Sequence, residues 1–237
     1  NSPLLYSLCA IDGAISNGWQ ISDALNKQAF SLAQLSSIQI NLNVISATPF
    51  LALKNSASAY SNLAGQISSL LSILQLQRQF LFFIAQSAFS LFLPAGLLLR
   101  MFFATRKLGG AIMAGAIGFF LIYPLAYSAF SYDKEQLSFS FKEAETDLSS
   151  LGAALALLPI IDWGKPGEIS TLVQNLSGNE LASKTSLPYK SVGAFIGVLE
   201  LHSYAYPLAA LLLAFASIWE LSILLGSEFR LDLLEIA

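Results

Sequence analysis

Cysteine, histidine and charge are all scarce in this chain of 237 residues, and each scarcity removes a class of function. Cys9, the only cysteine, cannot close an internal disulfide. His202 is the only histidine, so there is no Cys/His set at metal-ligand spacing, no histidine pair for haem and no His-Glu-x-x-His motif. A catalytic triad would need that histidine beside a nucleophile, yet it sits in an apolar segment. No glycine-rich phosphate loop of either common type occurs. Only 11% of residues are charged, against roughly 25% in an ordinary soluble domain. The 12 basic and 15 acidic side chains are too few to cover the surface of a soluble protein of this length. Net charge is -3 and no basic run is longer than Arg106-Lys107, which argues against direct nucleic-acid binding. The chain reads as non-enzymatic, with no cofactor and no metal.

What is present is apolar. Hydrophobic residues make up 55% of the chain, and mean hydropathy is +0.62. Residues 79–99 hold 21 positions without a charge and residues 108–132 hold 25. Each exceeds the roughly 20 residues a helix needs to cross hydrocarbon. Pro94 and Pro124 kink these helices, as membrane helices tolerate. A third apolar stretch, 191–227, is interrupted by Glu200, His202 and Glu220, and its best crossing is 203–226. The expected fold class is an all-α integral membrane protein: three transmembrane helices plus an extracytoplasmic helical hairpin and a small extracytoplasmic cap.

Basic residues set the expected orientation. Arg100, Arg106 and Lys107 fall between the first two spans with no acid among them, so the 100–107 loop is cytoplasmic by the positive-inside rule. The 1–78 region and the 133–190 cap are then outside at the plasma membrane, and the 227–237 tail is inside. The chain starts at Asn1 rather than Met, and a removed signal peptide would also put that end outside. The sequon at Asn175 lies in the outside cap.

Residues 1–78 are rich in Ser, Asn and Gln, with no charge from Gln28 to Leu53 or from Asn55 to Gln77. Leu35, Ile38, Leu42 and Ile45, and then Leu63, Ile67, Leu70 and Leu74, step by three and four. They predict two antiparallel helices over about 20–47 and 51–78, the first capped by Ser22 or Asp23 and the second begun at Thr48-Pro49. The second runs on into span one. In the cap, Leu137, Phe139 and Phe141 alternate with polar residues and predict a short strand. Residues 143–158 predict a helix with an acidic start. A turn follows at 162–167, with short helices at 168–176 and 179–184.

Gly110, Ala114 and Gly118 form a small-residue ridge on span two, with Ala111 and Gly115 beside it. Such spacing lets another helix approach closely, whether from a second subunit or from the same chain. Glu220 is an ionisable residue inside a span, costly unless it has a role, and Arg100, Arg106 or a partner subunit could pair with it. Glu200 and His202 mark the outer boundary of span three. Tyr123, Tyr127, Tyr132 and Trp219 suit interfacial belts. Cys9 reads as a small buried residue.

Phe103-Ala104-Thr105-Arg106-Lys107-Leu108-Gly109-Gly110-Ala111-Ile112, running into Ala116-Ile117-Gly118-Phe119-Phe120, is similar to a stretch in uncharacterised multi-pass membrane proteins of archaea. Leu225-Gly226-Ser227-Glu228 resembles their usual ending after the last span, with Ser in place of a Gly. The resemblance covers about 40 residues and implies no activity. Its polytopic form resembles inner-membrane subunits of conjugation or pilus-type machines. The expected function is a non-catalytic subunit that oligomerises or anchors a membrane or cell-surface assembly. The alternative is a component of a channel or export machine. Expected partners are membrane lipid and copies of the chain or other membrane subunits.

Overall fold

The computed structural model describes residues 3–37, 40–42, 45–47, 51–131, 134–156 and 179–226. They are almost entirely helical. Helix α1 spans Pro3–Ser36, α2 Leu51–Ser87, α3 Leu93–Met101, α4 Arg106–Ile117, α5 Tyr123–Phe130, α6 Lys134–Ala156, α7 Asn179–Glu200 and α8 Tyr206–Leu224. Strands β1 (Ile40–Leu42) and β2 (Ile45–Ala47) pair antiparallel, with Asn41 opposite Ser46. Among the described residues, three helical runs are long and apolar enough to cross a membrane: Leu53–Met101, Phe103–Phe130 and Pro188–Leu224. This fits the expected membrane class.

Several local expectations are corrected. The first helix begins at Pro3, and Ser36 ends it before a β-ribbon rather than at residue 47. Ser22 is therefore buried in mid-helix, and Asp23 pairs with Lys27 one turn on, so neither is a cap. The alternating Leu137, Phe139 and Phe141 lie within α6, not in a strand. The expected helix over 143–158 starts earlier, at Lys134, and residues 157–158 lie outside the described residues. Residues 179–184 are the first turns of α7, and the helix continues from there through 191–202. Thr48-Pro49, the 162–167 turn, 168–176, Asn175, Tyr132 and the 227–237 tail lie outside the described residues.

The chain divides into two compact units. One comprises residues 16–71 and 135–199, so hairpin and cap segments fold together. On α1 the buried side is Gly18, Ile21, Leu25, Ala29 and Leu32; on α2 it is Leu53, Ala57, Tyr60, Ala64, Ile67 and Leu71. Both follow the three-and-four steps of a helix seam. Gly18 has no room for a β-carbon, which would meet Leu71 at 2.5 Å, and the Ser22 and Ser68 hydroxyls stand 3.3 Å apart. Helix α6 buries Leu137, Ala144, Leu148 and Leu151, again at helical spacing. Phe141 lies 6.3 Å from Phe195 of α7, and Tyr60 lies 5.9 Å from Tyr189. Burying these large side chains contributes about 1.5–3 kcal/mol each before the entropy cost of ordering the chain.

The other unit holds residues 1–15, 72–134 and 200–237. Here α1 runs beside α2 with Ile11 and Ala14 buried. Cys9 falls on the opposite side of that helix and is exposed, contrary to expectation. Asp12 and Arg78 pair at 2.6 Å, half-exposed, which contributes about 1 kcal/mol or less. Each apolar run carries one wide helical turn: Ala88–Phe92, Gly118–Ile122 and Leu201–Ala205. Each is followed two residues later by a proline: Pro94, Pro124 and Pro207. The cause is local. Proline has no N–H to give and crowds the carbonyl four residues back, so the helix widens. The residue before each proline then donates five residues back: Leu93 to Ala88, Tyr123 to Gly118 and Tyr206 to Leu201.

Candidate functional site

The α3–α4 hairpin is built on glycine. Phe102 adopts an extended backbone that ends α3, and the Thr105 hydroxyl donates to the Leu99 carbonyl at 2.7 Å, capping it. Beyond the turn the two backbones meet at Gly96 and Gly109. A β-carbon on Gly109 would stand 2.6 Å from the Gly96 carbonyl oxygen and 2.7 Å from the Arg100 nitrogen. Neither glycine belongs to the ridge that sequence spacing singled out. The available signal was symmetry, since both stand equally far from the Phe102-Phe103 turn, where a hairpin brings residues together.

The ridge itself divides. Gly110, Ala114 and Gly118 are buried in this chain's own packing, and Gly118 faces Ile218 of α8. Ala111 is half-buried, while Gly115 has open space where a β-carbon would go. Gly110, Ala114 and Gly118 thus serve packing inside one chain.

At the far end of these helices lies a knot of polar groups. Pro207 cannot donate to the Ser203 carbonyl, and the Gln77 side-chain amide does so instead, at 2.5 Å. His202 and Ser203 are buried beside it, with the His202 ring 4.9 Å from Tyr206. Tyr206 also stacks on Phe130 of α5. Tyr123 and Tyr127 are fully buried and pack in the core; Trp219 is exposed. Among the described residues three buried polar atoms here find no hydrogen-bond partner: Gln77 Oε1, Tyr127 Oη and Ser131 Oγ. Among the described residues no His/Cys/Asp/Glu group of three could hold a metal.

Charges sit elsewhere. Arg100 occupies the last turn of α3, where the helix dipole favours a cation. Arg106 and Lys107 open α4, where the dipole disfavours one, so helix stability does not account for them. Glu220 is exposed on α8, in line with the exposed Leu213, Ala216 and Leu224. The contact of Gly118 with Ile218 puts it level with about Ala116 on α4. That is ten residues from Arg106, or about 15 Å of helix. Measured along the helix, Glu220 is thus about half the thickness of a hydrocarbon layer, about 30 Å, from the level of Arg106. Pairing with Arg100 or Arg106 does not occur, and Glu220 has no ion-pair or hydrogen-bond partner among the described residues.

In the unit of residues 16–71 and 135–199, α1 and α2 leave an open groove of about 750 Å³. Small residues line it, Ala29, Ala33, Ala57 and Ser61 among them, with Phe30 65% exposed along it. Phe139 on α6 is 70% exposed. Compared with protein-family models, with curated proteins and with solved structures, the chain matches none.

Proposed function

We propose that this chain is a non-catalytic membrane subunit that oligomerises or anchors a membrane or cell-surface assembly. The observation that carries this is Glu220: an outward-facing carboxylate, about half a hydrocarbon thickness from the level of Arg106, with no partner among the described residues of its own chain. An ionisable group in hydrocarbon is costly, and such groups face protein or water. A neighbouring subunit packed on the Leu213–Glu220–Leu224 face removes that cost. The small-residue groove beside Phe30 and the exposed Phe139 offer further contact surface away from the apolar runs. In mild detergent the wild type is expected to run as a defined multimer or complex. Glu220→Leu is expected to release single chains, and Glu220→Gln, which keeps hydrogen bonding, to retain part of the assembly. A wild type that is a clean single chain, or a Glu220→Leu variant of unchanged mass, overturns the proposal.

The orientation belongs to the same reading: the Arg100–Lys107 turn inside, with the Ser58 and Thr146 helices outside. Cys9→Ser leaves a chain without cysteine. In that background a membrane-impermeant maleimide should label Ser58→Cys and Thr146→Cys, both exposed, in intact cells. Phe103→Cys, at the exposed tip of the α3–α4 turn, should label only after permeabilisation. The reverse pattern inverts the topology. The second reading, a channel or export-machine component, draws on the same carboxylate, since copies meeting at Glu220 would line their junction with acid. Cation conductance lost in Glu220→Gln would favour it.

A further inference from the structure

Beside the α3–α4 hairpin, in the same unit, lies an apolar cleft of about 320 Å³. Phe80, Phe83 and Phe92 line one side, and Ile112, Gly115 and Phe119 the other. The rings hold one another edge to face, Phe80 on Phe119 and Phe83 on Phe92, each pair at 6.2 Å. Two of the wide turns border it, through Phe92 and Phe119. No charged or hydrogen-bonding side chain faces it, so water has nothing to hold it there.

Its dimensions and level suit a slender apolar occupant. From Phe80 to Phe92 is twelve residues, about 18 Å of helix. Spread over that length, 320 Å³ leaves a cross-section of about 18 Å². A single hydrocarbon chain fits. The level agrees as well. Phe80 stands two residues beyond Arg78, and Phe92 eight residues before Arg100, so the cleft starts at one edge of the apolar run and reaches about its middle. At the Arg78 edge a second pocket of about 540 Å³ is lined by Asp12, Gln75, Arg78 and Gln79. It offers a cation and a carboxylate at headgroup height.

We propose that the cleft is a binding site for one hydrocarbon chain of a phospholipid, drawn from the leaflet at the Arg78 end, with its headgroup level with Asp12 and Arg78. The inference shares with the proposed function only the assumption that the apolar runs cross a bilayer. It does not depend on Glu220 or on oligomerisation.

Gly115 provides a test. A β-carbon there has nothing within 4 Å, so the side chain of Gly115→Leu starts in the cleft's open space. The full chain would be reconstituted in dioleoylphosphatidylcholine vesicles, re-extracted in mild detergent and weighed by native mass spectrometry. The wild type should retain one phospholipid per chain. Gly115→Leu should lower the lipid-bound fraction at least fivefold at unchanged chain count, while Leu212→Ala, on the exposed face of α8, leaves it unchanged. Phe83→Ala, which opens the rim, should also release lipid and decides the matter if Gly115→Leu does not fold. A wild type stripped bare, or cleft variants that retain as much lipid as the wild type, overturns the proposal. The same spectra report chain count, so a failure of the assembly reading appears separately from a failure of this one.

Discussion

Gly109→Ala is expected to unfold the membrane-spanning hairpin several degrees earlier than wild type in a mild-detergent melt. The added β-carbon meets backbone, the Gly96 carbonyl oxygen at 2.6 Å and the Arg100 nitrogen at 2.7 Å. Backbone cannot rotate away as a side-chain tip can, so α3 and α4 must separate. Overpacking of this kind costs about 1–3 kcal/mol, and each kcal/mol shifts the midpoint by about 2–4 °C in a chain of this length. Two other glycines calibrate the result. At Gly118 the clash is with the Ile218 side chain, so Gly118→Ala should cost less, and Ile218→Ala in the same chain should restore part of the loss. At Gly115 nothing lies within 4 Å, so Gly115→Ala should be neutral. The expected order of destabilisation is Gly109, then Gly118, then Gly115. Equal midpoints for the Gly109 and Gly115 variants would mean that the α3–α4 crossing is looser than its geometry indicates.

The same residues show what sequence can and cannot carry. The apolar runs were legible because about twenty uncharged residues in a row need no partner to be recognised. The seams were legible only in part. Of Leu63, Ile67, Leu70 and Leu74, the last three are buried and Leu63 is half-buried, but the buried side of α2 also takes in Tyr60, Ala64 and Leu71. Small alanines and an amphipathic tyrosine mark a core face less sharply than leucine or isoleucine, and on α1 the line includes Ser22 and Gly18 as well. Phe139 misled for a related reason. Its ring is exposed on α6, so it made Leu137, Phe139 and Phe141 alternate like a strand while the buried positions followed helical spacing. Three residues are too few to separate a period of two from one of 3.6. Glu220 was visible as an ionisable residue in a span, but its depth and outward direction needed the antiparallel register that Gly118 and Ile218 fix. Gly96 and Gly109 had no partner in the sequence until the turn at Phe102 was placed.

Gln77 is the clearest case of a role that only tertiary structure reveals, and its removal should show a dependence on a residue 130 positions away, Pro207. Pro207 denies the Ser203 carbonyl its helical donor, and the Gln77 amide supplies one from α2. Gln77→Leu withdraws that donor from a buried acceptor, a loss of about 1–3 kcal/mol. The value should fall at the lower end, because the substitution also removes Gln77 Oε1, itself buried without a hydrogen-bond partner among the described residues. Pro207→Ala returns an N–H to the helix and lets it close on the Ser203 carbonyl. In that background Gln77→Leu should cost little, since the carbonyl no longer depends on α2. The two substitutions should thus couple by about 1 kcal/mol in a double-mutant cycle, above the few tenths that separate independent sites. Unfolding midpoints of the four proteins in one detergent measure it. Additive losses would mean that Gln77 merely packs against the wide turn at Leu201–Ala205. Coupling would establish that the proline-widened turn and the glutamine form one device, in which a bond broken within one helix is remade between two.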